Sequence, residues 1–341
     1  MASKKRVSLK DIAQAAGVST SLVSIVLNGK AKKHRVSDAV AERIHLIAAE
    51  LGYKPNVAAR SLRDGRSKAI GVVVSDIANP FFANVARQIE ATAEKYDYIV
   101  QFSSSDENAG RSASLVDNML CRNMDGIILV PCEGSSENVR SLVSNGTPLV
   151  LFDRKIPDVN CSYVCLDNRK ASYDLASHLI QQGYRKIGVV AYNLDLQHMK
   201  DRIEGARQAM RDAGMESGFQ MRVVDHFDMK KSCERAVRQM VEGGADSLLF
   251  ASNNIAMECL AAINEKGLKV PDELALVTFD GGPMFDFFYA PFTYLEQPVE
   301  IMAQKAAEVL IEQIENDGQM IQKIEMAGRI VARQSSARRK D

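Results

Sequence analysis

The sequence predicts a small all-α helix-turn-helix head joined to a larger α/β part built from two doubly wound lobes with parallel sheets. The chain has 341 residues and a mass of 37.5 kDa, more than one hydrophobic core usually supports. Residues 1–66 show only helical periodicity, whereas short apolar strands alternate with amphipathic helices from Lys68 onward. A helical domain and a two-lobed domain are therefore expected.

The composition excludes several classes of protein. No apolar run approaches the roughly 20 residues that span a bilayer, so no membrane partner is expected. The first ten residues are basic and lack the apolar segment of a secretory signal, which favours a cytoplasmic location. Six cysteines at irregular spacing indicate reduced thiols rather than disulfides.

Charge is divided unevenly along a chain whose formal net charge is zero. Residues 1–66 contain 13 lysines and arginines and five acidic residues, a net charge of +8, and the other 275 residues carry −8. Such a division is typical of a protein that binds a polyanion at one end. The alternative, a solvated basic tail, fits the regular helical pattern of this head less well.

Residues 8–52 carry the caps and periodicity of three short helices. In the first, apolar residues recur at i, i+3, i+4 and i+7: Leu9, Ile12, Ala13 and Ala16. Ser8 can cap this helix, Gly17 supplies the positive φ of a tight turn, and Ser19 can cap the second helix. The residues expected to turn inward from the second and third helices are Val23, Val26, Leu27, Val40, Ile44, Ile47, Ala48 and Leu51. Two short helices joined by a glycine turn and braced by a third predict a helix-turn-helix, whose second helix enters the major groove of DNA.

The outer face of the second helix is the candidate DNA-reading surface. It presents small polar residues and one isoleucine: Ser19, Thr20, Ser21, Ser24, Ile25 and Asn28. Hydroxyls near a helix N-terminus suit phosphate oxygens, and an apolar side chain suits the thymine methyl. The loop at residues 29–35 adds Lys32, Lys33 and Arg35 as candidate phosphate contacts. The alternatives are a solvated helix face and a disordered basic loop.

Buried strands are predicted in two series after Lys68. The first series covers residues 69–74, 98–102, 126–130 and 148–152, and the second starts near Ser162 and covers 186–191, 221–224, 247–250 and 274–279. Ligands of doubly wound sheets bind beyond the carboxyl ends of the strands. Polar and aromatic residues follow these strand ends or begin the next helix: Asp76, Asn79, Phe81, residues 103–106, Asp153, Arg154, Tyr192, Arg202, Asn253 and Asp280. Carboxylates, amides and one arginine together are typical of a sugar-type pocket, although each residue alone could simply be a polar loop residue.

Short motifs recur in and after the predicted helices, at residues 8–13 (SLKDIA), 16–19 (AGVS), 23–24, 27–28, 36–37 and 51–56 (LGYKPN). On these motifs the sequence resembles the lactose-repressor/galactose-repressor family of bacterial transcription regulators. The resemblance implies a periplasmic-binding-protein-like sensor and a homodimer, or a higher oligomer, that binds a palindromic double-stranded DNA operator. It also implies a small effector between the lobes. The implied domains are a head at 1–54, a hinge at 55–67 and a sensor at 68–336, with one lobe at 68–165 and 295–326 and the other at 166–294 and 327–336.

Residues 55–62 can form about two helical turns, a length that is marginal in water without other stabilisation. In the family, the resembling segment folds on the operator, pairs with its dimer mate and wedges a leucine into the minor groove. The resemblance therefore implies DNA contacts by Asn56, Ala58 and Ala59, with Leu62 as the wedge. As an ordinary apolar anchor in a linker helix, Leu62 would cause no DNA bend.

The resemblance points to the same strand ends for effector binding. The predicted effector residues are Asn79, Phe81, Asp153, Tyr192, Arg202, Phe227, Asn253 and Asp280. The chain departs from the family at Ile25, where many members carry a guanine-reading arginine, and at Asn253, where a carboxylate is common. Because the chain has no tryptophan, stacking under a sugar ring falls to Phe81, Phe227 or Tyr192. A sugar acid, a phosphorylated sugar and a nucleoside all remain open as effectors.

Enzyme motifs are missing from the sequence. It contains no Gly-x-Ser-x-Gly elbow, Walker loop, Gly-x-Gly-x-x-Gly or His-Glu-x-x-His, and the five histidines are scattered. We therefore expect no enzyme activity, no cofactor and no metal site. The predicted function is that of a ligand-responsive repressor of carbohydrate uptake or breakdown genes. The rival hypothesis is a solute-binding protein or sugar-processing enzyme with a vestigial head.

Overall fold

The computed structural model describes residues 7–54, 65–316 and 320–338. The chain divides into two compact units between Ser67 and Lys68. The predicted hinge contacts at Asn56, Ala58, Ala59 and Leu62 lie outside the described residues.

The first unit contains the three predicted helices, α1 (Leu9–Ala16), α2 (Thr20–Leu27) and α3 (Asp38–Glu50). A capping box begins α1, because the Asp11 carboxylate accepts from the Ser8 amide at 2.7 Å while the Ser8 hydroxyl accepts from the Asp11 amide. Gly17 ends α1 with a φ of 64°, the left-handed turn expected between the two helices. These local signals fix the helix-turn-helix.

The core of this unit consists of apolar residues from all three helices: Ile12, Ala13, Ala16, Val23, Val26, Ile44 and Ala48. The prediction for Leu51 was wrong, since this side chain is 41% exposed. Leu51 follows the last residue of α3, and Gly52 then turns the chain with a φ of 65°. Tyr53 packs against the core in its place, and its amide donates to the Ala48 carbonyl at 2.9 Å.

In the described parts of the second unit, a first sheet has six strands: β1 (Ala69–Val74), β2 (Ile99–Ser104), β3 (Gly126–Leu129), β4 (Leu149–Asp153), β5 (Ser162–Leu166) and β11 (Lys323–Met326). Their order is β11-β5-β4-β3-β1-β2, and every neighbouring pair is parallel. Its helices are α4 (Pro80–Glu94), α5 (Ala109–Cys121), α6 (Ser136–Ser144) and α12 (Val299–Glu315). Helix α12 packs on α4 and on β3, β4 and β5.

The second described sheet contains β6 (Ile187–Tyr192), β7 (Gln220–Val224), β8 (Ser247–Phe250), β9 (Ala275–Phe279), β10 (Thr293–Glu296) and β12 (Arg329–Val331). Its order is β12-β10-β9-β8-β6-β7, and it is parallel except for the antiparallel pair of β10 and β12. The helices are α7 (Asn168–Gln181), α8 (Gln197–Asp212), α9 (Met229–Glu242), α10 (Asn253–Glu265) and α11 (Pro283–Asp286). The fold class predicted from the sequence, a helical head and two doubly wound lobes, is confirmed.

Three details differ from the strand prediction. Strand β5 pairs with β4, so the second series begins after residue 166 and not near Ser162. Strand β10 was missed, and its last residues belong to the second sheet although the predicted lobe boundary fell at 295. Strand β11 was also missed. The chain nevertheless returns through α12 to the first lobe and through β12 to the second, as the resemblance implied.

Gly205 allows α7 and α8 to approach closely, because a Cβ at this position would lie 2.1 Å from the Arg169 carbonyl oxygen. Gly205→Ala should lower the free energy of unfolding by about 1–3 kcal/mol, since the clash is with backbone and the two helices must separate. Urea titration measures the loss. Gly110→Ala is the matched control, because its nearest atom lies at 3.4 Å. Equal stability of the two variants would contradict the close-packing argument.

Candidate functional site

The outer face of α2 carries the predicted DNA-reading residues. Thr20 and Ser21 are exposed, while Ser24, Ile25 and Asn28 are half-buried. The Ser19 hydroxyl caps the helix by accepting from the Leu22 amide at 3.2 Å. At the other end, the side-chain Nδ2 of Asn28 donates to the Ser24 carbonyl at 2.5 Å. The first turn of α2 therefore presents the exposed hydroxyls of this surface.

The basic loop between α2 and α3 is a series of defined turns. The His34 amide donates to the Lys30 carbonyl at 3.1 Å, and the Val36 amide donates to the Ala31 carbonyl at 3.0 Å. Ala31 packs against the core of the head, which anchors the loop. Its predicted phosphate-binding side chains are all exposed: Lys32, Lys33 and Arg35.

A cavity of about 70 Å³ lies between the two lobes of the second unit, at the carboxyl ends of the strands. Seven of the eight predicted effector residues line it: Asn79, Phe81, Asp153, Tyr192, Arg202, Asn253 and Asp280. Phe227 does not line it and is 80% exposed, whereas the adjacent His226 does. The Asn253 amide reaches across the cavity to the Asn79 amide oxygen at 3.3 Å, so the lobes contact each other directly.

Arg202 is buried on α8 and held from three directions. Its Nε donates to Asn168 Oδ1 at 2.7 Å, and one terminal nitrogen donates to the Ala251 carbonyl at 2.6 Å. The guanidinium lies 3.9 Å from the centre of the Phe279 ring. Burial lowers the pKa of Arg202, but a guanidinium starts so high that it stays charged. The site therefore presents a fixed cation to a ligand.

Asp280 follows β9 and lies half-buried near Arg202. Its backbone has a φ of 61°, and its Oδ1 accepts from Gln297 Nε2 at 2.9 Å. Burial raises the pKa of Asp280 to about 6, and the opposing effects of Arg202 and the Gln297 hydrogen bond are smaller. Near neutral pH this carboxylate is costly to keep ionised, and a hydroxyl donor would stabilise it.

The lining also includes residues that were not among the predicted effector positions, among them Glu107, Arg154, His198, His226 and Gln297. A signal existed for His198, because it lies four residues before Arg202 and so on the same face of α8. Gln297 follows β10, the strand that the pattern did not reveal. Glu107 lies one residue beyond the polar run identified after β2.

Three buried atoms of these residues have no hydrogen-bond partner within the described residues: His198 Nδ1, His226 Nδ1 and Gln297 Oε1. Burial lowers the pKa of His198 well below its usual range, and the charges of Arg154 and Arg202 add to the shift, so its ring is neutral at pH 7. Buried polar groups are rarely left unpaired. Hydroxyl groups of a bound ligand would satisfy these atoms.

A larger pocket of about 560 Å³ adjoins the cavity and shares Phe81, Asp280 and Gln297 with it. Its other walls are mainly apolar, with Tyr294 and Val299 among them. The ring of Tyr294 lies against Gly281, where a Cβ would come within 2.6 Å of it.

Comparisons with known proteins match both units. Residues 8–56 match the family described as bacterial regulatory proteins, lacI family, and residues 176–336 match the periplasmic binding protein-like domain. The ribose operon repressor of Haemophilus influenzae is 28% identical over 328 residues, which cover 96% of this chain and 98% of that protein. The helix-turn-helix head is a lacI-family domain. The protein is a DNA-binding transcription regulator, as the sequence predicted.

Further relatives match at least 80% of this chain. The transcriptional repressor CytR of Escherichia coli K12 is 28% identical over 313 residues, 90% of this chain and 89% of that protein. The lac repressor dimer bound to operator and the anti-inducer ONPF has a TM-score of 0.85 at 22% identity, over 98% of this chain and 100% of that one. A lacI-family regulator from Enterococcus faecium with bound ribose has a TM-score of 0.70 at 21% identity, over 80% and 100%. These two solved structures share the fold.

The described residues contain neither a membrane-spanning helix nor a metal-binding cluster. No helix in those parts of the chain is long and apolar enough to cross a membrane. Nor do the same parts hold a group of three or more His, Cys, Asp or Glu side chains placed to bind a metal ion.

Proposed function

We propose that this regulator is a repressor of carbohydrate uptake or catabolism genes that acts in the cytoplasm without enzymatic activity. In this proposal a homodimer binds a palindromic operator through its helix-turn-helix heads, and a small effector binds between the lobes. The observation that carries the proposal is the buried cavity at the strand ends, where Arg202, Asp280 and unpaired polar atoms meet. Such a set of charged and polar groups can form hydrogen bonds with the hydroxyl groups of a ligand.

Ligand binding would change the affinity for DNA by changing how far the two lobes are closed. An effector that binds one closure state better than another shifts the population toward that state. Closure would change the spacing of the two hinge segments in a dimer and so their ability to fold on the operator. An inducer and a co-repressor use the same arrangement, so the sign of the response depends on which closure state binds DNA.

The cavity favours a small polar effector. Its 70 Å³ is less than the several hundred Å³ typical of ligand sites, so the lobes must open for a sugar to enter and then close around it. The ribose operon repressor among the relatives supports a sugar or a sugar derivative. A substituent on the sugar would extend into the adjoining 560 Å³ pocket.

Thermal-shift screening of sugars and nucleosides against the full-length protein tests the proposal, because a ligand of the folded state raises the melting temperature. A compound that raises it should also change affinity for an operator selected from random palindromes. A solute-binding protein or sugar-processing enzyme would instead bind the compound with unchanged DNA affinity, or would convert it to product. Either result would replace the repressor assignment with that alternative.

Neutralising the basic loop should weaken the salt dependence of operator binding. The triple variant Lys32→Gln, Lys33→Gln and Arg35→Gln removes three exposed charges that we assign to phosphate binding. The slope of log Kd against log salt should fall by about 0.9 for each phosphate that is no longer neutralised. Fluorescence anisotropy across a salt series measures it, with Lys230→Gln and Lys231→Gln as the matched control. A slope equal to that of the wild type would show that the loop does not contact phosphates.

An exposed apolar patch around α11 is our candidate dimer surface. Met284, Phe287 and Tyr289 are 59%, 87% and 60% exposed, which is unusual for three large apolar side chains so close in sequence. Phe287→Asp should weaken the dimer at least about thirtyfold, because a central aromatic anchor is commonly worth 2 kcal/mol or more. Sedimentation velocity measures this, with Met320→Asp, 50% exposed in the wild type, as the control. An unchanged dimer in Phe287→Asp would exclude this patch as the interface.

A further inference from the structure

Arg154 lines the effector cavity, but its hydrogen-bonding capacity is almost fully used within the protein. Its two terminal nitrogens donate to the two carboxylate oxygens of Glu107 at 2.6 and 2.8 Å, a bidentate pair. Its Nε donates to Asp153 Oδ2 at 3.2 Å, and a terminal nitrogen also donates to the Pro131 carbonyl at 3.3 Å. Since a guanidinium has five N–H groups, four are committed before any ligand binds.

The surrounding structure fixes the Glu107 carboxylate beside Arg154. Its side chain is only 5% exposed, and both it and Asp106 lie in the left-handed region, with φ of 54° and 52°. Non-glycine residues rarely adopt this conformation, and it is retained where the surrounding structure fixes it, often at binding sites. Burial alone would raise the pKa of Glu107, but Arg154 and hydrogen bonding lower it overall, so the carboxylate is ionised at pH 7.

Carboxylates outnumber guanidinium groups around the cavity. Four carboxylates line it, from Asp76, Glu107, Asp153 and Asp280, against the guanidinium groups of Arg154 and Arg202. Arg202 is itself partly committed to Asn168 and Ala251. A phosphate or carboxylate on an effector would therefore meet an excess of negative charge in this small cavity.

We propose that Glu107 makes the effector cavity selective for uncharged molecules, because it occupies the guanidinium of Arg154 that would otherwise bind an anionic group. This inference rests on the proposed effector function and narrows it to neutral sugars or nucleosides. It removes sugar acids and phosphorylated sugars from the candidates that the sequence left open.

The test compares matched pairs of compounds that differ in charge, with the full-length protein. The pairs are D-ribose and D-ribose 5-phosphate, D-glucose and D-gluconate, and cytidine and its 5′-monophosphate; inorganic phosphate is the minimal anion. Thermal shift and calorimetry are measured for the wild type, for Glu107→Gln, and for the double variant Glu107→Gln/Arg154→Gln. Glutamine keeps the shape of Glu107 and removes its charge, and the double variant removes the guanidinium as well.

In the wild type, we expect no anionic compound to bind more tightly than its neutral partner. Glu107→Gln should bind phosphate at least about tenfold more tightly than the wild type, since a unit negative charge is removed within a few Å of the anion. The double variant should lose that gain. A Glu107→Gln protein without the gain would overturn the inference, and so would a gain that survives in the double variant.

The comparison of neutral and anionic compounds on the wild type does not depend on whether the variants fold. Tighter binding of ribose 5-phosphate than of ribose, with a change in operator affinity, would overturn the role of Glu107 while supporting the effector function. Conversely, a phosphate gain in Glu107→Gln, with no neutral compound binding the wild type, would support the charge assignment and count against a carbohydrate or nucleoside effector. Failure of the Glu107 inference can therefore be distinguished from failure of the proposed effector function.

Discussion

Arg202→Ala is expected to abolish the effector response while leaving operator binding intact. The substitution removes the cation that is stacked on Phe279 and fixed by Asn168 and Ala251. Hydrogen bonds to a charged group contribute about 1.5–3 kcal/mol each, so an effector deprived of two of them would bind at least about a hundredfold more weakly. The helix-turn-helix residues lie in the other unit and are unchanged.

The measurement is operator affinity with and without an effector found by thermal-shift screening. Arg207→Ala is the matched control, because Arg207 lies on the same helix and also stacks on a phenylalanine ring, at 5.0 Å from the centre of Phe219. Its side chain is 36% exposed and does not line the cavity. A normal response in Arg202→Ala would remove this residue from the effector site. Loss of operator binding as well would indicate misfolding, to be checked by the urea midpoint.

Arg202→Ala also has a predictable effect on stability. It leaves the Asn168 amide oxygen and the Ala251 carbonyl without a hydrogen bond that the structure gives them. Together with the cavity left by the side chain, this should lower the free energy of unfolding by about 3 kcal/mol. The loss is partly offset because burying the guanidinium is itself unfavourable.

The helix-turn-helix could be predicted from the sequence because its signals are local. Ser8, Gly17 and Ser19 specify helix ends through bonds to residues no more than four positions away. The cavity residues at strand ends, such as Asp153 and Asp280, were predicted because a buried apolar strand is easily recognised and its carboxyl end is a ligand site in these sheets. For these residues, identifying the strand was sufficient to predict that the residue at its carboxyl end lies in the ligand site.

The rest of the site depends on how loops turn after the strands. Phe227 and His226 are adjacent, and only the loop conformation decides that the histidine lines the cavity while the phenylalanine is exposed. Glu107 lies against Arg154 because Asp106 and Glu107 both adopt the left-handed conformation. No sequence pattern indicates that conformation at these two positions. Gln297 follows β10, a strand of four residues that owes its stability to its neighbours in the sheet and has no pattern of its own.

Asp280→Asn should stabilise the protein at neutral pH while it weakens the effector response. Burial raises the pKa of Asp280 from its usual 3.8 to about 6. A carboxyl group whose pKa is raised by folding stabilises the folded state fully below pH 3.8, and that contribution is lost as the pH rises to about 6. The shift of roughly two units corresponds to about 3 kcal/mol at pH 7. Asparagine avoids this cost and can keep the hydrogen bond from Gln297.

Urea unfolding of the wild type and Asp280→Asn between pH 4.5 and 8 tests this linkage. The difference in unfolding free energy should favour the variant increasingly up to about pH 6 and then stay constant. His198, whose pKa is lowered by burial, destabilises both proteins alike as the pH falls below 6.5, so its effect cancels in the difference. A difference that does not change with pH would mean that Asp280 titrates normally. In that case the ionised Asp280 would not lower the free energy of unfolding. The structure instead indicates that the protein is less stable at neutral pH because it keeps this carboxylate ionised for its effector.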